Sequence, residues 1–108
     1  MSDQWRTVWL FAMFDLPVKE EEQRREYVRF RKDLLNDGFA MMQYSVYHRH
    51  CMSTENAQVH VQRLTAALPP EGEVRFMVIT DKQFEKIVTH WGKERRPHEK
   101  TPNQLEFL

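Results

Sequence analysis

Seven consecutive apolar residues, VWLFAMF at positions 8–14, are followed at once by Asp15, Leu16 and Pro17. A run this short, rich in aromatic residues and ended by a proline, predicts a buried β-strand. Asp15 then lies at the C-terminal end of that strand. Folds often place chemistry at such ends, because the sheet holds the residue rigidly while the end stays open to a ligand. Asp15 is therefore the first candidate functional residue, and the alternative is a structural role in the turn that follows.

The length of 108 residues predicts a single domain. Sixteen basic and sixteen acidic residues cancel, so overall charge gives no argument for binding nucleic acid, and only local clusters such as the one at residues 24–32 remain. The lone Cys51 excludes a scaffold held by internal disulfides. The N-terminus shows no cleavable signal pattern, and the apolar run is far shorter than the ~20 residues of a membrane helix. We therefore expect a cytoplasmic protein without a membrane partner.

Residues 20–36 have a helical pattern that places Tyr27, Phe30 and Leu34 on one face, and Gly38 suits the C-terminal cap. Residues 39–49 form a second β region, which is covered on both faces or bulged near residues 43–45 and is long enough for two short strands.

A second helix follows, with Ser53 or Thr54 as its N-cap, and Pro69-Pro70 terminates it. Its apolar stripe consists of Ala57, Val61, Leu64 and Leu68. Residues 73–80 then alternate as a third strand region.

This order of elements predicts an α+β fold, the ferredoxin-like βαββαβ arrangement with an antiparallel sheet and two helices on one face. We assign residues 1–92 to the ferredoxin-like domain and residues 93–108 to a C-terminal extension. The last four residues, LEFL, predict an additional edge strand that is exchanged to, or packed on, a partner subunit.

A single carboxylate is a poor Mg²⁺ site, since Mg²⁺ normally takes one or two carboxylates together with water and substrate phosphates. A homodimer that brings two copies of Asp15 together would supply the second carboxylate. The chemistry would then be metal-assisted phosphodiester hydrolysis. Arg24 and Arg31 fall within the apolar arc of the first helix, so either their stems cover the core edge or their guanidinium groups point to a polar site at the sheet edge.

Other chemistry finds weaker support. His48, His50 and Cys51 give only three candidate zinc ligands, and polar packing at a strand end is favoured over a zinc site. Ser45 has no His and Asp partners at the spacing of a hydrolase triad. Three scattered glycines build no phosphate-binding loop, and the RNA-recognition-motif consensus is missing from both candidate strands.

Five segments together, in order and spacing across nearly the whole chain, resemble the CRISPR-associated protein 2 family, and in particular its type II branch. They are MFDLP at 13–17, RREY at 24–27, NDGF at 36–39, QYSVY at 43–47 and TDKQF at 80–84.

The resemblance implies a ferredoxin-like homodimer that works in spacer acquisition, where it bridges dimers of the CRISPR integrase and holds duplex DNA. It also implies a metal-dependent endonuclease that acts on single-stranded RNA or double-stranded DNA, with one Mg²⁺ shared by two Asp15 carboxylates across the dimer axis. In that account Asp15 is the catalytic and metal-binding residue. The residues expected to contact nucleic acid are Arg24, Arg25, Arg31 and Ser45.

Two alternatives remain open at this point. One is a stand-alone, toxin-like ribonuclease with the same fold. The other is a non-catalytic ferredoxin-like module for binding or dimerisation, for which zero net charge is the best support.

Overall fold

A computed structural model describes residues 6–93 of the chain. The elements follow in the order β1 (Val8–Asp15), α1 (Glu21–Asn36), β2 (Ala40–Gln43), β3 (Val46–Cys51), α2 (Thr54–Thr65), β4 (Glu73–Thr80) and α3 (Asp81–Glu85). The predicted edge strand at residues 105–108 lies outside the described residues. Within residues 6–93, no helix is long and apolar enough to cross a membrane.

The described strands form an antiparallel sheet in the order β2-β3-β1-β4. This is the ferredoxin-like arrangement, so the predicted fold class is confirmed. The apolar run of β1 takes a central position, which is why residues on both of its faces are buried. β2 and β4 are the two edges of the described sheet.

The core lies between one face of the sheet and the two long helices. Alternate residues of β1, from Val8 to Phe14, share a buried cluster with Phe30 and Leu34 of α1 and Leu64 of α2. The helix face predicted for α1 is therefore confirmed.

The opposite face of the sheet, which we call the open face, carries the other residues of β1. Trp9, Phe11 and Met13 lie there, and among residues 6–93 the short helix α3 covers one end of this face. Its Phe84 stacks on Trp9 with the ring centroids 3.9 Å apart. On the edge strand β4, Met77 keeps 40% of its surface exposed on this face.

The ends of the helices follow local hydrogen bonding. In α1 the side-chain oxygen of Gln23 accepts the backbone N–H of Glu20 at 2.9 Å. In α3, Thr80 and Gln83 form a reciprocal capping box, with hydrogen bonds of 2.9 and 3.1 Å between backbone N–H and side-chain oxygen.

The second long helix differs from its prediction. Ser53 is its N-cap, but α2 ends at Thr65, so Leu68 lies beyond the helix and is exposed. The buried residues of α2 are Ala57, His60 and Leu64. His60 stands one position before the predicted Val61, which is only partly buried. A polar partner explains this choice, because His60 Nδ1 lies 2.8 Å from the buried Asp37 carboxylate.

Asp37 joins three elements through one buried polar network. Its carboxylate also accepts from Arg63 of α2, and its backbone carbonyl accepts from Arg49 of β3 at 2.6 Å. A buried carboxylate is tolerated only when it is paired in this way. The network therefore fixes the end of α1 against α2 and β3.

Of the two alternatives for the second β region, the bulge is present, but it begins earlier than residues 43–45, as the pairing of β2 with β3 shifts between Met41 and Gln43. The hairpin then turns through Tyr44 and Ser45. Ser45 has a φ of 63°, a left-handed conformation that is rare for residues other than glycine.

Candidate functional site

The carboxylate of Asp15 lies where the sequence predicts it. Asp15 is the last residue of β1 and is exposed, whereas Phe14 and Leu16 on either side of it are buried. Two buried neighbours anchor the backbone at this point, so an exposed side chain is held on a rigid support. The alternation of β1 places Asp15 on the open face, in line with Met13.

Glu73 is a second carboxylate at this position, and the sequence analysis missed it. The register of β1 against β4 pairs Asp15 directly with Glu73. Residues paired across an antiparallel ladder project to the same face with Cβ atoms about 5 Å apart. Glu73 also forms an exposed ion pair with Arg75 at 3.3 Å. One protomer therefore offers two carboxylates at the strand end.

Gly72 permits this juxtaposition. It has a φ of +88°, and a Cβ atom added there would lie 2.5 Å from the backbone oxygen of Asp15 and 3.0 Å from Cα of Leu16. Real Cβ atoms essentially never come this close to another atom, so only glycine fits without a movement of the backbone. The loop before β4 can thus approach the end of β1 closely.

Ser45 is brought to the same end of the sheet. Its backbone carbonyl accepts the N–H of Phe14, the residue before Asp15, at 3.1 Å. Its hydroxyl lies 3.3 Å from the Tyr27 hydroxyl. This backbone hydrogen bond places Ser45 next to the end of β1, and its predicted contact with nucleic acid stays a prediction.

The three predicted arginines have different surroundings. Arg24 donates to the backbone carbonyls of Val18 and Lys19 at 3.1 and 2.7 Å, and so braces the loop that follows Asp15. Arg25 forms an exposed ion pair with Glu21 at 2.7 Å.

The guanidinium carbon of Arg31 lies 5.6 Å from the ring centroid of the buried Tyr47. Its buried Nε has no hydrogen-bond partner among the described residues. Of the two readings left open for Arg31, the structure favours the one in which its side chain packs over the core. Arg24 likewise binds backbone rather than pointing its guanidinium freely at the sheet edge.

The donors at the strand end suit a hard cation. Carboxylate oxygens such as those of Asp15 and Glu73 are the oxygen ligands that Mg²⁺ takes in proteins. Among residues 6–93, no three His, Cys, Asp or Glu side chains come together in a way that would hold a metal ion. A metal at this site would therefore need water, substrate phosphates or a second protomer to complete its coordination.

The candidate zinc ligands of β3 point to opposite faces. Cys51 belongs to the core, while His48 and His50 lie on the open face beside Trp9. Burial raises the pKa of the Cys51 thiol, against the opposing effect of Arg49. The preferred reading of polar packing fits His50, whose Nε2 lies 3.1 Å from the carboxylate of Asp81.

The contact between His50 and Asp81 anchors α3 to the sheet. A hydrogen bond from the Thr7 hydroxyl is the largest cause that lowers the pKa of the Asp81 carboxyl, and His50 lowers it further against the effect of desolvation. The segment TDKQF is thus explained by structure, since Thr80 and Gln83 cap the helix, Asp81 ties it to the sheet and Phe84 stacks on Trp9.

Comparison with known proteins agrees with this fold. Residues 8–87 match the family model described as "CRISPR associated protein Cas2". The chain belongs to the Cas2 family. A Cas2-family protein of Parvibaculum lavamentivorans is 58% identical over 101 residues, which cover 94% of this chain and all of that protein. A relative in Flavobacterium psychrophilum is 43% identical and covers 98% of this chain and 92% of that protein.

Both relatives carry the name "CRISPR-associated endoribonuclease Cas2". Among solved structures, one titled "Crystal structure of cas2" superposes with a TM-score of 0.58 at 19% identity, and the match covers 87% of this chain and 97% of that one. This superposition supports the fold. The resemblance found in the five sequence segments is therefore confirmed at the level of the Cas2 family and of a CRISPR-associated protein.

Proposed function

We propose that this Cas2-family chain is a homodimeric subunit of CRISPR adaptation that bridges dimers of the CRISPR integrase and binds duplex DNA. We further propose that its Asp15 end binds Mg²⁺ and cleaves single-stranded RNA or double-stranded DNA. The observation that carries the proposal is the exposed carboxylate of Asp15 at the rigid end of a central strand, in a chain of this family.

Two features of the sheet support a homodimer. The open face is rich in apolar side chains, and in the described part of the chain α3 covers only one end of it. The described sheet also leaves β4 as an edge, which can accept a further strand. A twofold axis near this end would bring two Asp15 carboxylates together, as one shared Mg²⁺ requires.

Each residue near the strand end has a different role in the proposed cleavage. When bound, Mg²⁺ would polarise the phosphate and lower the pKa of a coordinated water. Asp15 would hold the ion, and Glu73 would add negative charge beside it. Ser45 offers a hydroxyl to a phosphate oxygen, and Arg24 keeps the loop after Asp15 in place through its two backbone contacts.

The dimer can be tested at Met77. We expect the wild-type protein to elute at twice the chain mass of 13.1 kDa, and Met77→Arg to weaken association by at least about tenfold, because an unpaired charge would be buried in the interface. Light scattering after size-exclusion chromatography over a concentration series measures this. Val59→Arg, at an exposed position of α2, is the matched control. A monomeric wild type at micromolar concentration, or an unaffected Met77 variant, would contradict the proposed interface.

The adaptation role predicts two binding results. The protein should co-elute with its cognate integrase at micromolar concentration, and its affinity for duplex DNA should fall at least about tenfold between 50 and 200 mM salt, since phosphate contacts release counterions. Co-elution and fluorescence anisotropy measure these two quantities. Failure to co-elute would count against the bridging role, and salt-independent or absent DNA binding would count against the DNA contact.

A stand-alone ribonuclease is the second candidate, favoured by the name that the relatives carry. It shares the chemistry at Asp15 but needs no integrase. Cleavage of RNA by the isolated protein, without co-elution with integrase, would support this candidate over the adaptation subunit.

A further inference from the structure

A groove beside the strand end is not used by the proposed nuclease or by the proposed dimer. It lies between the segment that follows Asp15, the first two turns of α1 and the loop before β4, and it has a volume of about 300 Å³. Its apolar lining consists of Leu16, Pro17, Tyr27, Pro69 and Pro70. We call it the acidic groove, because Glu22, Glu26 and Glu71 also line it.

The walls of the acidic groove are held in place. The side-chain amide of Gln23 in α1 donates to the carboxylate of Glu71 at 3.2 Å and so ties the helix to the loop across 48 residues of sequence. Leu16 and Tyr27 are buried parts of the core. Three prolines have fixed φ angles, which restricts the surrounding backbone. An occupant would therefore meet a largely formed surface.

The charge at the groove is one-sided. No Lys, Arg or His is among its described lining residues. Arg29 pairs with Glu26 at 2.7 Å and offsets that carboxylate. None of the ion pairs within residues 6–93 involves Glu22 or Glu71. Within residues 6–93, two carboxylates thus stand at an apolar surface without a cation paired to them.

The apolar lining and the two carboxylates together indicate which kind of ligand would bind in the groove. Without a bound metal ion, the carboxylates would repel nucleic-acid phosphates, so the groove itself is a poor contact for DNA or RNA. The volume fits one or two side chains rather than a large cofactor. An aliphatic or prolyl side chain would bury against the apolar lining, and a neighbouring Arg or Lys would reach the carboxylates of Glu22 and Glu71, which form no ion pair within residues 6–93.

We infer that the acidic groove is a docking site for a segment of a partner protein, in which an aliphatic or proline residue stands within two positions of an Arg or Lys. The basic residue of this segment is chosen because its positive charge complements the carboxylates of Glu22 and Glu71. Docking there requires neither Asp15 as a metal ligand nor binding of nucleic acid by this chain.

The test is a selection of random 12-residue peptides displayed on phage against the full-length protein, with counter-selection against the double variant Glu22→Gln/Glu71→Gln. The selected peptide is then labelled with a fluorophore, and its affinity is measured by anisotropy in EDTA without nucleic acid. These conditions keep the result independent of the nuclease and adaptation proposals. Glu85→Gln, an exposed carboxylate of α3 outside the groove, is the matched control.

We expect enriched peptides to share the combination of a basic residue and an aliphatic or proline residue. Their affinity should fall about tenfold in the double variant, as exposed charge pairs contribute modestly one by one, and less than twofold in the control. Peptides without basic residues, an unchanged affinity in the double variant, or no peptide that binds the wild type would each overturn the inference. Displacement of the peptide as the protein's own concentration rises would identify a second copy as the occupant and overturn it too.

Discussion

Asp15→Asn should lower Mg²⁺-dependent cleavage of single-stranded RNA or double-stranded DNA by at least about a hundredfold. Removing a group that only orients a metal ligand typically costs ~10–100-fold, and Asp15 is proposed as a ligand itself. The side chain is exposed, so the variant should fold normally and keep its melting temperature. Cleavage assays over a Mg²⁺ series, with nucleic-acid binding measured in parallel, test this. We expect binding to be retained.

Glu73→Gln separates two versions of the metal site. If the carboxylates of Asp15 and Glu73 act together within one protomer, this variant should also weaken Mg²⁺ binding, measured by a calorimetric titration. If one ion is shared only by two Asp15 residues, Mg²⁺ affinity should change little. Glu55→Gln, on the exposed side of α2, serves as the control for a lost surface charge.

Unchanged cleavage in Asp15→Asn would remove Asp15 from the mechanism and point to a contaminating nuclease.

Gly72→Ala should destabilise the protein by about 2–5 kcal/mol, a sum of the ~1–2 kcal/mol for a left-handed residue with a Cβ atom and ~1–3 kcal/mol for overpacking. The new methyl group would collide with the backbone of Asp15 and Leu16, which cannot move without disturbing β1. For a domain of this size the melting temperature should fall by roughly 10 °C or more. Thermal unfolding followed by circular dichroism measures the loss.

Gly38→Ala is the matched control for this effect. Gly38 has nearly the same φ, +86°, but its added Cβ would meet only the end of the Arg49 side chain, at 2.8 Å, which can shift if its hydrogen bond to the Asp37 carbonyl weakens. It should therefore cost the ~1–2 kcal/mol of the left-handed conformation and at most ~1.5 kcal/mol for that hydrogen bond, with no movement of strand backbone. Equal losses in the two variants would show that the close approach of Gly72 to the strand end contributes nothing.

Local patterns predicted most of the fold because their period is set by the backbone. The aromatic run ended by Pro17 gave β1, the spacing of Tyr27, Phe30 and Leu34 gave the buried face of α1, and residues 73–80 gave the limits of β4. The prediction was wrong for the end of α2, where Leu68 continued an apolar spacing that the backbone does not follow. His60 was overlooked for a related reason, since its burial depends on Asp37, 23 residues away.

The sequence by itself determined the strand with Asp15 at its end, the ferredoxin-like order of elements and the Cas2-family resemblance. Each of these depends on residues that are close in the chain or on motifs read in order. Only the tertiary structure decided that Glu73 stands beside Asp15, that Arg31 lies over Tyr47 and that an acidic groove opens next to Leu16. The physical reason is strand register and close packing, which join residues far apart in the chain and leave no periodic trace in the sequence.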